Sequence, residues 1–406
     1  MNIGMLLDNE FTGDMRVENE VASLTRAGFG VFVLCINHGD KPEIEKYQGG
    51  TIVRIKLSKF QKNKMKGLAN TAFDIHTWYW GRKLKWFARK YAIDIFHIHD
   101  LYMVGAAFAA NKLMKRKLPV ISDLHENYPQ AIRHYSFTKT FPGNLLVSIP
   151  KWDKTEVDWV KKSDHVITVI EEAKSRYVSL GVDPQRITVV ANYVYRDHFL
   201  TEKNDAPSAT HLKYKNNFVL FYAGGFDIHR GLESVIRAIP EMISKIPELK
   251  VVLVGTGRNH RELEELAGEL KVSDYVAFEG WQQPDTLPDY IKASDVCMIP
   301  HIKTAHTDNT IPHKLFQYML LKKPVLSSNC DPLTRIIEDT NCGVIYQSDD
   351  ENDLADKVLT LYANDSMRSD MGEKGKSAVE STYNWENTAE NLIELYKHYQ
   401  KSLQKH

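Results

Sequence analysis

Short apolar runs bounded by polar turns alternate along this chain with stretches whose apolar residues recur every three or four positions, the signature of strands alternating with helices. Residues 3–7 predict a strand, and Val17, Val21 and Leu24 mark one face of a helix that ends at Gly28. Residues 31–35 predict the next strand, which completes a βαβ unit, the building block of parallel sheets. Strands follow at 93–98, 119–122, 164–169 and 187–190, with helices at 104–113 and 171–180. The polar stretch 201–217, with Pro207 and Ser208, reads as a linker.

A second alternating run begins at Phe218, with strands at 218–222, 249–254, 276–278, 296–299, 325–328 and 343–346. Helices are expected after Gly231, near 350–363 and 366–382, and from 385 to the end. A further helix is expected to open at Thr310, which is suited to an N-cap, with Pro312 in the first turn and Leu315, Phe316, Met319 and Leu320 on its buried face. The chain therefore reads as two α/β domains, with ligand sites at the carboxyl ends of strands that face each other across a cleft.

Several residue types at those strand ends suit a phosphorylated ligand. Gly224-Gly225, Gly255-x-Gly257 and Gly280 let backbone approach a ligand closely. Arg230 follows the first of these turns, where a guanidinium can grip a diphosphate in fork geometry. The expected helix start at Thr310 presents free N–H groups that favour phosphate. No Gly-x-Gly-x-x-Gly opens a helix and no Gly-Lys-Ser/Thr occurs, which argues against dinucleotide and P-loop sites. In the first half, His99, Asp100, His125, Glu126 and Asn192 stand at strand ends.

The order of these features resembles family 4 of the glycosyltransferases. The resemblance rests on Tyr222-Ala223-Gly224-Gly225-Phe226 with Arg230-Gly231-Leu232, Val254-Gly255-Thr256-Gly257, Phe278-x-Gly280-Trp281, and Lys314-Leu315-Phe316-Gln317-Tyr318-Met319. His97-x-His99-Asp100 and Asp123-Leu124-His125-Glu126 are similar to strand ends of the same family's first domain. The resemblance implies an α/β GT-B fold of two Rossmann-like domains: an acceptor domain at 1–200, a nucleotide-sugar donor domain at 201–384, and a C-terminal helix, 385–406, crossing back to the first. It implies a retaining transfer with no metal and no cofactor, the nucleoside-diphosphate sugar being a co-substrate.

Residue by residue, the resemblance implies Arg230 and His125 as catalytic. It implies donor contacts from Gly224, Gly225, Gly255, Gly257, Phe278, Asn309, Thr310, Ile311, Lys314 and Gln317. Gly13, Asp14, Arg16 and Glu126 are the expected contacts to acceptor or sugar. Two departures stand out. The family's diphosphate-binding Arg and Lys, five positions apart, correspond to Gly225 and Arg230, and its two glutamates, eight positions apart, correspond to the amides Asn309 and Gln317.

Composition adds limits. The 406 residues are 43% hydrophobic and 26% charged, ordinary for a globular protein, with a formal net charge of +0 that favours no class of partner. The apolar run 3–7 is too short for a secretory leader, and no apolar stretch is long enough to span a bilayer. The four cysteines form no Cys-x-x-Cys and read as reduced thiols, as expected in the cytoplasm. His301, His306 and His313 fit no usual zinc spacing, so no metal is expected. Residues 56–90 interleave lysines and arginines with Trp78, Trp80 and Trp86, a composition suited to the inner, anionic face of a membrane where lipid-linked acceptors lie. No nucleic-acid reading module accompanies it. Three functions fit: a transferase moving sugar to a glycan or lipid-linked acceptor in surface polysaccharide synthesis, a nucleotide-sugar epimerase of the same fold, and a non-catalytic sugar-nucleotide binder.

Overall fold

The apolar runs of the first half assemble into one sheet in the computed structural model, which describes residues 1–39, 41–133, 136–141, 143–195 and 208–404. Its strands are β1 (Asn2–Leu6), β2 (Gly30–Asn37), β3 (Ile44–Tyr47), β4 (Gly50–Lys56), β5 (Ile95–His99), β6 (Val120–Leu124), β7 (His165–Thr168) and β8 (Ile187–Val189). Their order among the described residues is β3-β4-β2-β1-β5-β6-β7-β8. Only β3 runs antiparallel to its neighbour. The chain leaves β1 toward β2 and later crosses back to β5, so the strand order reverses between β1 and β5.

The second half repeats this plan with β9 (Phe218–Ala223), β10 (Leu249–Val254), β11 (Val276–Gly280), β12 (Val296–Ile299), β13 (Val325–Ser328) and β14 (Gly343–Tyr346). All pairs are parallel, in the order β11-β10-β9-β12-β13-β14. This is the Rossmann order, with its reversal between β9 and β12. The helix Leu232–Ile243 buries Leu232, Val235, Ile236, Ile239 and Met242 at helical spacing, each worth about 1.5–3 kcal/mol on leaving water.

Contacts divide the chain into two compact units, Met1–Ala191 with Thr388–His406, and Asn192–Asn387. The second unit begins earlier than residue 201 because Tyr193 packs its ring on Phe316 and Tyr383, with centroids 4.7 and 5.4 Å away. The end of the helix Trp385–Leu403 belongs to the first unit, where Tyr396 Oη lies 2.6 Å from His97 Nδ1.

Three local expectations change. The 201–217 linker lies partly outside the described residues. Its remainder is not all irregular: Ser208 caps a helix, Ala209–Tyr214, by accepting from the His211 N–H. The β3–β4 hairpin was not anticipated, and it turns on Gln48 and Gly49, both at positive φ (+45° and +88°), as a two-residue primed turn requires. The helix expected from Thr310 begins only at Lys314 and runs to Leu320, while Thr310 is extended. The loop before the helix is closed by another threonine: the Thr307 hydroxyl donates to Ile302 O (2.8 Å) and accepts from the Thr304 N–H (2.8 Å). Thr310 Oγ1 turns back to His306 O (3.4 Å), and no side chain caps the seven-residue helix.

Candidate functional site

In the second unit the carboxyl ends of β9, β10, β11 and β12 converge. Gly224 N–H donates to Val254 O (2.9 Å), Gly255 N–H to Gly280 O (2.7 Å), and Phe226 N–H to Thr256 O (3.1 Å), so the glycine turns are knitted into one floor. Gly224 and Gly255 have φ of +150° and +136°, and at Gly255 the Gly224 carbonyl occupies the space a Cβ would need. Gly257 is similarly crowded by the Phe226 backbone. Phe278 is half-buried and stacks on His260 at 5.2 Å between centroids.

Two cations meet over this floor. Lys314 Nζ lies 3.9 Å from the Tyr222 ring centroid and 2.6 Å from where a Cβ on Gly224 would stand. Arg230 donates from Nη1 to His301 Nε2 (2.9 Å), the residue that follows β12 and Pro300. Neither Lys314 Nζ nor Arg230 Nε, both buried, has a hydrogen-bond partner among the described residues. Burial, with the Arg230 charge adding to it, pulls the Lys314 ammonium well below its ordinary range. Burial and the neighbouring Lys314, Arg230, His229 and His306 do the same to His301, which is thereby kept neutral and able to accept from Arg230. The cations crowd each other, and burial with neighbouring positive charge is what pulls both groups down. Such a site is completed by an anion.

The structure thus brings Gly224, Gly225, Gly255, Gly257, Arg230 and Lys314 together, with Phe278 beside them. Lys314 supplies the second positive charge that Gly225 does not. Ile311 is buried, Gln317 is half-buried on the short helix, and Asn309 Nδ2 donates to Ala305 O (2.9 Å). Asp308 is held by Lys303 Nζ (3.2 Å) and the Asp331 N–H (2.9 Å). In the sequence His301 stands out only as one of three histidines without zinc spacing; its pairing with Arg230 across distant sequence carries no local signal.

In the first unit a buried polar cluster sits at the β1/β5 reversal. Arg16 forks onto Asp123 (2.8 Å), reaches Glu20 at 3.1 Å, and donates to Val190 O (2.7 Å). His97 Nε2 lies 3.3 Å from Asp123 Oδ2, and His125 Nε2 is at the same distance from it. Burial works against the Asp123 carboxylate, but Arg16, His125 and its hydrogen bonds outweigh that and hold it well below its usual range. Burial, reinforced by the Asp123 charge, pushes Glu20 well above its own, against the pull of Arg16. Glu20, His97, His99 and Asp123 place one ligand atom each within 4.8 Å of one another, a donor set of the kind divalent ions accept. Arg16 already supplies the positive partner of the two carboxylates there.

Of the residues expected at acceptor or sugar, Arg16 is therefore packed inside the first unit. Asp14 caps the helix Met15–Arg26 by accepting from the Val17 N–H (3.3 Å) and also accepts from Asn9 (2.7 Å). Gly13 is exposed at φ +92°, its N–H donating to Glu18 (2.8 Å), and Glu126 is half-buried. The His125 side chain is 22% exposed. Burial lowers its basicity, but Asp123, by charge and hydrogen bond, and Asp100 push the imidazole up to about 9, so it is an imidazolium at neutral pH.

These shifts give the first unit a pH optimum. His125 contributes stability that is complete below its unfolded value of 6.5 and is lost as pH rises toward 9. His97 and His76, pulled down to about 4 by burial, contribute stability that is complete above 6.5 and is lost as pH falls toward 4. The urea midpoint of this unit is expected to peak near pH 6.5; a midpoint still rising between pH 6.5 and 9 would contradict the His125 assignment.

Two family models match the chain: Glycosyltransferase Family 4 over residues 15–198 and Glycosyl transferases group 1 over residues 204–378. Similar solved structures include sucrose-phosphate synthase from Thermosynechococcus elongatus (TM-score 0.78, 17% identity, covering 99% of this chain and 100% of that one). Another is Anabaena HepE in complex with UDP and glucose (TM-score 0.73, 17% identity, covering 98% and 100%). The fold is GT-B, and the protein is a glycosyltransferase. It belongs to the family 4 glycosyltransferases. Among relatives, an uncharacterized glycosyltransferase of Methanocaldococcus jannaschii is 21% identical, covering 92% of this chain and 91% of its own. The alpha-monoglucosyldiacylglycerol synthase of Streptococcus pneumoniae is 22% identical, covering 88% and 78%.

Proposed function

We propose that the protein is a retaining glycosyltransferase whose donor is a nucleoside-diphosphate sugar held in the second unit. The observation that carries this is two buried nitrogens of cationic side chains, Lys314 Nζ and Arg230 Nε, that have no hydrogen-bond partner among the described residues, at the glycine floor. When the bond from the anomeric carbon to the diphosphate breaks, negative charge grows on the leaving phosphate while the sugar becomes oxocarbenium-like. Lys314 and Arg230 stand fixed where that charge develops, and fixed charges stabilise a transition state without reorganising. Gln317 offers an amide to ribose hydroxyls and Phe278 an apolar edge to the base. His125, as an imidazolium, donates a hydrogen bond and does not serve as a base. The reaction needs no metal or cofactor in this reading, because side chains meet the diphosphate charge. Anabaena HepE, solved with UDP and glucose, supports a nucleotide-sugar donor.

The acceptor is a glycan or lipid-linked acceptor of surface polysaccharide synthesis, and the reaction takes place in the cytoplasm; a relative named for a glycolipid, the diacylglycerol synthase above, favours an amphiphilic acceptor. The test incubates the protein with a panel of nucleoside-diphosphate sugars, with and without EDTA, and follows nucleoside diphosphate release. Release from one donor, unchanged by EDTA, is expected. Conversion of the sugar without release would point to an epimerase, and binding without either to a non-catalytic sugar-nucleotide binder.

A further inference from the structure

The helix Ile75–Lys90 buries His76, Trp80, Leu84 and Phe87, yet its opposite face is not the usual solvated one. Trp78 and Trp86 there are 58% and 44% exposed. With Arg82, Lys85 and Arg89 they recur at three- and four-residue spacing, so aromatic and cationic side chains share one stripe. Arg82, Lys85, Trp86, Arg89, Lys90 and Leu113 line a hollow of about 510 Å³. Among the described residues no carboxylate lines it, and the chain has no acidic residue between Asp74 and Asp94. The formal net charge of the whole chain is +0, so the patch is a local concentration of charge.

We propose that this face seats the first unit on an anionic lipid bilayer, with lipid phosphates in the four-cation hollow and Trp78, Trp86 and Leu113 at headgroup depth. Indoles and long cationic stems both place an apolar body and a polar tip at that boundary. Charge complementarity selects an anionic surface. A second copy of the same face would oppose cation to cation. Base stacking needs open ring faces, whereas Arg82 lies over Trp78 (5.2 Å) and Lys90 over Trp86 (5.0 Å). The proposal is independent of the donor site: its failure would leave nucleoside diphosphate release untouched.

The test sediments the full chain with vesicles of phosphatidylcholine, and of phosphatidylcholine mixed with phosphatidylglycerol, over a salt series. Pelleting is expected on the anionic vesicles alone and weakening with salt. Each cation near an anionic surface is worth about fivefold in partitioning, so the R82E/R89E variant should bind at least about 25-fold more weakly. Trp78→Ala with Trp86→Ala should weaken binding and leave its salt dependence in place. Both variants should melt as the parent does and keep its donor turnover in solution. No pelleting at low salt, equal pelleting on neutral vesicles, unchanged pelleting of R82E/R89E, or equally strong binding to a DNA duplex would each overturn the proposal.

Discussion

Lys314→Ala is expected to lower turnover of any nucleotide-sugar donor by about 10²–10³, the cost of removing one fixed group that stabilises developing charge. The ammonium is buried, has no hydrogen-bond partner among the described residues, and lies against the Gly224 backbone and the Tyr222 ring. In the unliganded protein that position is costly, and burial with Arg230 pulls the group well below its ordinary range. A bound diphosphate reverses the balance and raises the proton affinity of the lysine. Diphosphate affinity should therefore fall as pH rises, more steeply in the parent than in the variant. The same substitution should leave the unliganded protein as stable as before or more so, because it removes an uncompensated buried charge. Steady-state kinetics beside a urea titration separates the two effects. Turnover within threefold of the parent, or a stability loss that accounts for the lost activity, would show that Lys314 is structural.

That site was partly legible in the sequence. The glycines at 224, 225, 255 and 257 announce close backbone approach by their type, and Arg230 and Lys314 come with recognisable neighbours. The pairing of Arg230 with His301 was not legible, because it depends on β9 and β12 becoming neighbours across the reversal of strand order. The start of the helix before Gln317 was misplaced for a local reason. Thr310 and Pro312 have the right chemistry for a helix opening, but Thr304 and Thr307 satisfy the loop first. The β3–β4 hairpin did carry a signal, Gly49-Gly50 ahead of an apolar-rich run, although Gln48 at positive φ is a poor cue for a primed turn. Arg16 is the instructive case in the first unit. Near a polar loop it suggests ligand contact, and only the fold reveals that Asp123 meets it from another strand.

Arg16→Met is accordingly expected to destabilise the first unit by about 3–5 kcal/mol, the usual cost of removing one partner from a buried ion pair. Asp123 would remain ionised or take up a proton among His97, His99 and His125, and Val190 O would lose its donor. For a domain of this size the loss corresponds to a melting shift of roughly 6–20 °C. Partial recovery should appear at lower pH, because an added proton on Asp123 removes the stranded charge. A second substitution, Asp123→Leu on the Arg16→Met background, removes the stranded carboxylate but also takes the partner from His97 and His125, so it should recover only part of the loss. Donor binding in the second unit should stay within a few-fold of the parent in either variant at temperatures where the first unit remains folded. A loss below about 1 kcal/mol for Arg16→Met would mean that water compensates the charge and that the cluster is not the polar keystone of its sheet.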